Sequence, residues 1–356
     1  KPTVSRRPRH TPMAPDKERL LEVVSAFQGR RIAVVADLVI DEFLNGRVER
    51  ISREAPVLIL RYDGESVLPG GGANAVANIR ALGGEPLPIG FVGADESGRR
   101  LRAELAARGI TTTGILEVPD YRTPTKTRIV AGFPHGTKQQ IVRYDVEDEL
   151  PEDDAAHARL AAGIRAAAAD ARVAVVSDYG YGAARPALLP ALREALGPEG
   201  VVIVDSRYRL GDYQGADGAT PNEEEAEALF GGPLPATMPA LGQAVDRLRE
   251  RLAARFLLVT RGSRGMVLAD GGGAVAIPVH GTAQVADVTG AGDTVVGTFA
   301  LALAAGATPA EAALLANYAG GIVVMKMGTA TTSPAELAAA IRRDPRPLTE
   351  ATWAKW

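Results

Sequence analysis

RRIAVVADLVID, residues 30–41, is apolar at almost every position after its two arginines and carries two carboxylates, Asp37 and Asp41. A strand apolar on both faces belongs inside a sheet covered on both sides, the usual setting of a parallel strand in an α/β protein. Runs of the same kind recur at 87–92, 173–177, 201–205 and 256–260. Ala- and Leu-rich stretches with helical periodicity lie between and beside them, at 74–82, 98–108, 153–169, 185–196, 223–230 and 239–255. Residues 16–29 add a short amphipathic helix through Leu20, Leu21, Val23, Val24 and Phe27. This alternation predicts an α/β fold: a doubly wound, mostly parallel sheet flanked by helices. Ligands of such sheets bind beyond the carboxyl ends of the strands, and Asp37 and Asp41 stand at one such end.

Two segments break the alternation. Residues 46–69 and 122–146 show period-two patterning and turn residues, with no stretch of helix length. They predict a small antiparallel sheet projecting from the main domain as a lid. One face of that sheet turns to the ligand and the other needs cover, which predicts a homodimer formed through the lids. The domain is expected over 16–345, between a flexible basic tail (1–15) and a C-terminal tail (346–356).

The balance of 46% hydrophobic and 23% charged residues, with a net charge of −3, is that of an ordinary globular protein. Slight acidity offers nothing to nucleic acid or to an anionic membrane. No apolar run approaches the roughly 20 residues of a membrane helix, and no apolar signal core follows the basic first ten residues. The expectation is a cytoplasmic enzyme. The chain has no cysteine, which excludes disulfides, thiolate zinc sites and a cysteine nucleophile. Its four histidines are scattered without an H-E-x-x-H, which argues against zinc hydrolysis, and no G-x-x-x-x-G-K-[ST] loop occurs.

The chemistry is concentrated in DVTGAGDT (287–294), which runs directly into the apolar helical stretch VVGTFALALAAG (295–306). A glycine-rich turn that opens a helix presents the backbone N–H groups of Gly290, Ala291 and Gly292 at the positive end of the helix dipole, a cradle for a phosphoryl group in transfer. Asp293, in the first turn, is placed to accept a proton from an attacking hydroxyl. Phosphoryl transfer asks for little beyond this positioning and charge neutralisation by Mg²⁺.

DVTGAGDT resembles the C-terminal signature of ribokinase-like (PfkB) sugar kinases, and GGGANAVAN (70–78) resembles their N-terminal glycine motif, with Gly70, Gly71, Gly72 and Asn74 at the substrate. The resemblance spans about residues 31–337. It extends to TPNEEE (220–225), similar to the family's N-x-x-E element, which implies Asn222 and Glu225 near the phosphates and Mg²⁺, acting through water. VTRGSRG (259–265) is similar to its nucleotide-side loop, implying nucleotide contacts for Thr260, Gly262 and Gly265. NYAGG (317–321) lies on the helix that flanks the adenine, implying the same for Asn317. Asp287 and Thr289, with carbonyls from 327–329, resemble the monovalent-cation site of several members, which implies K⁺. ATP and Mg²⁺ are the implied cofactors.

Within the family, ADLVID (36–41), RISREAPV (50–57), QQIVRYD (139–145) and SDYG (177–180) look most like heptose 7-phosphate kinases. On that resemblance Asp37, Asp41 and Asp178 hold the sugar. Arg143, with Arg50, Arg53, Lys126 and Arg128 in or beside the lid segments, offers cations for a sugar phosphate. The implied reaction passes the γ-phosphoryl of ATP to O1 of a heptose 7-phosphate. Relatives in this group often carry a second, nucleotidyltransferase domain, and a chain of this length is expected to carry the kinase step alone. Two departures bear on the substrate. Asp205-Ser206-Arg207 replaces an Asp-Pro-Lys type sequence, with Arg207 in the position of the lysine, and Tyr181 stands where Lys is usual. Three alternatives remain: a fructose, ribose or nucleoside kinase on the same scaffold, a binding protein without catalysis, and a dinucleotide oxidoreductase. The last rests only on the loose G-x-G-x-x-A at 70–75 and leaves DVTGAGDT unexplained.

Overall fold

In the computed structural model, which describes residues 16–133, 138–150, 154–281, 286–345 and 354–355, α1 (Lys17–Ser25) leads into β1 (Arg31–Ala36). The chain leaves the core as β2 (Leu38–Ile51) and returns as β3 (Leu58–Gly71), α2 (Gly72–Ala81), β4 (Glu85–Gly93), α3 (Glu96–Ala107) and β5 (Ile115–Val118). A second excursion, β6 (Thr125–Gly132) and β7 (Gln139–Val146), precedes α4 (Asp154–Ala168), β8 (Val173–Asp178), α5 (Leu189–Leu196), β9 (Val201–Ser206) and β10 (Gly218–Ala219). Then come α6 (Glu223–Phe230), α7 (Ala240–Arg251), β11 (Phe256–Thr260), β12 (Met266–Ala269), β13 (Ala274–Ile277), α8 (Ala291–Ala304), α9 (Pro309–Val323), α10 (Pro334–Arg343) and β14 (Ala354–Lys355). The expected tail 1–15 lies outside the described residues, as does 346–356 apart from β14.

The main sheet has the order β14-β13-β12-β11-β10-β9-β8-β1-β4-β5. It is parallel from β11 to β5 and antiparallel from β11 to β14. Period-two alternation divides its side chains between two cores. Ile32, Val34 and Ala36 of β1 join a core with α1, α2, α8, α9 and α10. Ala33 and Val35 point the other way, into a core with α4, α5, α6 and α7. The doubly wound reading is therefore met, and the carboxyl ends of β1, β8, β9 and β11 converge on one rim.

The lid is a four-stranded sheet of order β3-β2-β6-β7. Both hairpins are antiparallel, as expected, but they join through a parallel β2/β6 pair. Its first hairpin also starts closer to the core than residues 46–69, because β2 begins at Leu38, one residue past β1. Cross-strand register sorts the lid into two faces. Asp41, Phe43, Lys126, Arg128, Arg143 and Asp145 share one. Leu44, Leu60, Tyr62, Ile129, Val142 and Tyr144 share the other. Tyr62, Val142 and Tyr144 on that second face are exposed.

Candidate active site

Gly290 caps α8 in the left-handed region (φ 76°), a conformation that costs glycine little. A Cβ there would lie 2.3 Å from Nδ2 of Asn74, so the turn and α2 need this glycine to meet. Asn74 donates through Nδ2 to the Gly290 carbonyl at 3.2 Å and to Asp293 Oδ2 at 3.0 Å. Behind it, Asn78 donates to Asn74 Oδ1 at 3.1 Å, and the Thr294 hydroxyl donates to Asn78 Oδ1 at 3.0 Å. The other Asp293 oxygen, Oδ1, accepts the Tyr179 hydroxyl at 2.7 Å. Burial pushes the Asp293 carboxyl up to about 7, while the hydrogen bonds from Asn74 and Tyr179 oppose that rise. Of the three N–H groups expected to be free, that of Ala291 instead donates to the Val288 carbonyl at 3.2 Å. Gly290 and Gly292 line the cleft.

Asp37, expected at the sugar, has a different position. It is fully buried, and its two oxygens accept the N–H groups of Tyr179, Tyr181, Ala183 and Ala184 at 2.7–3.2 Å. A carboxylate so occupied ties the loop after β8 to the end of β1 and leaves no oxygen for a sugar. Burial, with Asp178 nearby, holds its carboxyl up at about 6. Asp178, at the end of β8, is likewise committed, to the segment at and after the end of β9: it accepts a two-pronged contact from Arg209 (2.7 and 3.2 Å), the Ser206 hydroxyl at 2.9 Å and the Tyr213 hydroxyl at 2.8 Å. The Tyr181 departure also turns inward, its hydroxyl on Glu147 at 2.6 Å.

Asp41 faces the site from β2. It pairs with Arg128 at 2.5 Å in nearly dry surroundings, and the guanidinium also lies over the Phe43 ring. A Cβ at Gly70 would meet Asp41 Oδ2 at 2.6 Å, which explains glycine at the end of β3. Gly71 passes Val39 and the Tyr179 ring, and Gly72 opens α2 against β1. Lys126 stands over the Tyr179 ring, 5.8 Å from its centre. Burial lowers its affinity for a proton, Asp145 and Asp41 raise it, and Arg143 and Arg207 lower it further. Arg143, on β7, contacts Asp145 at 2.9 Å and stays half exposed.

Next to Asp293 opens a cleft of about 260 Å³ whose walls include Tyr179, Asp205, Arg207, Thr220, Asn222, Glu225 and Thr260. Asn222 and Glu225 form the capping box of α6, each side chain accepting the other's N–H at 2.8–2.9 Å. That is a structural duty, and it fixes both side chains at the cleft. Burial raises the Glu225 carboxyl while Arg207 opposes, and burial together with Glu225 and Asp293 raises Asp205 well above the carboxylate range. Gly262 and Gly265 form the tight turn after β11, beside an ion pair of Arg261 with Glu223 at 3.0 Å. Asn317 donates to the Pro278 carbonyl at 2.9 Å, joining α9 to the segment after β13. Asp287 is held low: burial raises it, but the N–H groups of Thr289 (2.9 Å) and Gly328 (3.0 Å) outweigh that.

A family model for pfkB family carbohydrate kinases matches residues 30–336. The chain belongs to the pfkB family of carbohydrate kinases. Family members transfer a phosphoryl group to a sugar hydroxyl, and in this chain the two glycine motifs meet through Asn74 at Gly290 and Asp293. The chain is 43% identical over 327 residues to the bifunctional protein HldE of Halorhodospira halophila, covering 90% of this chain and 65% of that one. It is 38% identical over 347 residues to the HldE of Mesorhizobium japonicum, covering 95% and 67%. It thus spans about two thirds of the length of these relatives. Escherichia coli phosphofructokinase-2, solved with substrates and products, superposes with a TM-score of 0.72 at 20% identity, covering 89% of this chain and 100% of that one. Arabidopsis thaliana ribokinase, solved with ribose and ATP, gives 0.66 at 20% identity, covering 88% and 99%. Both share the fold.

Two residues at this pfkB site escaped the sequence reading. Tyr179 was visible only as part of SDYG, with no signal for its hydroxyl on Asp293. Asp205 enters the sequence reading only as the shared first residue of a stretch whose departures are Ser206 and Arg207, although its place at the carboxyl end of β9 is where such sheets hold ligands.

Proposed function

We propose that this chain transfers the γ-phosphoryl group of ATP to a hydroxyl of a phosphorylated sugar, most specifically O1 of a heptose 7-phosphate, giving the 1,7-bisphosphate. One observation carries the reading: a buried carboxylate, Asp293, lies between a glycine-lined helix N-terminus and a lid face bearing Lys126, Arg128 and Arg143. The sugar occupies the lid side, with Asp41 taking its hydroxyls and Lys126, Arg143 and Arg207 facing its phosphate. Asp293 accepts the proton of the attacking hydroxyl. The N–H groups of Gly290 and Gly292, at the positive end of α8, stabilise charge on the group in transfer. Thr260, Gly262, Gly265 and Asn317 belong to the nucleotide side. The lid excludes water and so limits hydrolysis of ATP. The likeness to HldE proteins and the motif resemblance at 36–41, 50–57 and 139–145 favour the heptose acceptor.

The donor side fits Mg²⁺: Asp205 and Glu225, two carboxylates raised by burial, face one channel and call for a cation when phosphates arrive. Bound with ATP, Mg²⁺ neutralises phosphate charge; Asn222 and Glu225 would hold it through water. A monovalent cation fits beside Asp287 and Thr289, where the buried Thr329 hydroxyl oxygen has no hydrogen-bond partner. The apolar lid face with Tyr62, Val142 and Tyr144 supports a homodimer through the lids. No helix among the described residues is long and apolar enough to cross a membrane.

The test is continuous ADP release with MgATP across D-glycero-D-manno-heptose 7-phosphate, sedoheptulose 7-phosphate, fructose, fructose 6-phosphate, ribose and adenosine. Selective turnover of the first, with product phosphorylated at O1, is the expected result. Turnover of another sugar retires the heptose assignment and keeps the kinase. Silence across the panel with normal ATP binding overturns the reading.

A further inference from the structure

Asp293 presents two oxygens, and each has one donor. Oδ2 takes Asn74 Nδ2 at 3.0 Å, and Oδ1 takes the Tyr179 hydroxyl at 2.7 Å. Tyr179 is itself anchored, because its N–H donates to Asp37 Oδ2 at 2.8 Å and its ring lies against Gly71 and under Lys126. The four N–H groups converging on Asp37 make the loop after β8 a rigid mount for this one phenol. We infer that Tyr179 is the positioning residue of the catalytic base: its hydroxyl, mounted on Asp37, sets the orientation in which Asp293 meets the acceptor hydroxyl. The inference rests on the reading of Asp293 as the base.

The arrangement has a chemical logic. A carboxylate held by one donor swings about its Cβ–Cγ bond; one held at both oxygens keeps a single plane, with its remaining lone pairs aimed at the cleft. Such a fixed geometry is what converts a nearby base into an effective one. Tyr179 remains a neutral donor, since burial, Asp293 and Asp205 hold its hydroxyl well above the ordinary phenol range. Its hydrogen bond also favours the ionised form of Asp293 against burial. The other groups that bear on that carboxyl are Asn74 from α2, Asp41 from β2 and Lys126 from β6, with Asp205 from β9 across the cleft. Tyr179 thereby gives the SDYG stretch a task that neither Asp178 nor Gly180 performs.

The experiment compares wild type, Tyr179→Phe, Asp293→Asn and the double variant, with kcat and KM for each substrate and the pH profile of kcat/KM. Tyr179→Phe keeps the ring, so its expected effect is confined to the base: kcat falls roughly tenfold or more, KM for MgATP stays within about twofold, and the acidic limb moves to higher pH. In the Asp293→Asn background the same change costs nothing further, because the tyrosine acts through the aspartate. Incorporation of 3-fluorotyrosine at position 179, a more acidic phenol that keeps both ring and bond, moves the limb to lower pH. Wild-type kcat and an unmoved limb in Tyr179→Phe, or a full additional loss in the double variant, would overturn the inference while leaving the kinase reading intact. A wild-type protein that phosphorylates no sugar removes the kinase reading first.

Discussion

Asn74 and Asp293 meet through a hydrogen bond of 3.0 Å across 219 residues of chain. The same amide reaches the Gly290 carbonyl, so the glycine motif at the head of α2 and the one at the head of α8 form a single structure. The Asp293 carboxylate is thus held by donors from two separate segments, Asn74 at the head of α2 and Tyr179 after β8.

Asp293→Asn should lower kcat by about 10²-fold or more with the fold intact, as for removal of a positioned general base. Circular dichroism together with the coupled ADP assay checks it. Near-normal kcat in a folded variant would refute the assignment.

The same substitution should raise the melting temperature at pH 8. The folded carboxyl sits near 7 against an ordinary 3.8, so the native state binds the proton more readily than the unfolded chain. The stability this contributes is complete below pH 4 and is lost as pH rises through about 7. Asparagine removes the buried charge, and a gain of about 1–3 kcal/mol is expected. Thermal melts at pH 5 and pH 8 should show the larger gain at pH 8, because pH 5 lies only part-way between the unfolded and folded values.

Activity should follow the opposite sign. The base works when ionised, so kcat/KM should fall about tenfold per pH unit below roughly pH 7 and level off above it. A profile flat from pH 5 to 8 would refute Asp293 as a base with its carboxyl raised to about 7.

Arg128→Ala should leave Asp41 buried without its partner. A loss of about 3 kcal/mol in stability is expected for breaking such a pair, with KM for the sugar raised and KM for ATP little changed. Urea unfolding and steady-state kinetics separate the two effects.

Placing Glu at both Tyr62 and Val142 should disrupt the exposed lid face. Light scattering at micromolar concentration is expected to show a dimer for the wild type and a monomer for the variant. A wild-type monomer would refute dimerisation through the lids.

Much of this was legible in the sequence, because it depends on local rules. Strands such as 30–36 are apolar on both faces and must be covered on both sides, which specifies a doubly wound sheet without reference to any contact. A glycine turn feeding an apolar helix specifies a helix start at 290, wherever the rest of the chain lies. The N-x-x-E resemblance put Asn222 and Glu225 together, and the structure adds that they form the capping box of α6 beside the cleft. The lid faces were legible in outline only: period-two patterning predicts two faces, whereas the parallel β2/β6 junction depends on where two distant hairpins dock.

What the sequence by itself determined was the fold class, the glycine turn that opens a helix at 290 and the place of Asp293 in that helix's first turn. What only the tertiary structure decided was how neighbouring carboxylates divide their work. Asp37 and Asp41 lie four residues apart in one apolar run, and by sequence either could have faced a sugar. Asp37 turned inward because the returning loop after β8, 142 residues later, brought its N–H groups to both oxygens. Asp41 kept its place at the site because Arg128, from the second hairpin, neutralised it there. A buried carboxylate goes where donors compensate its lost hydration, and those donors come from segments whose arrival is a property of the whole fold.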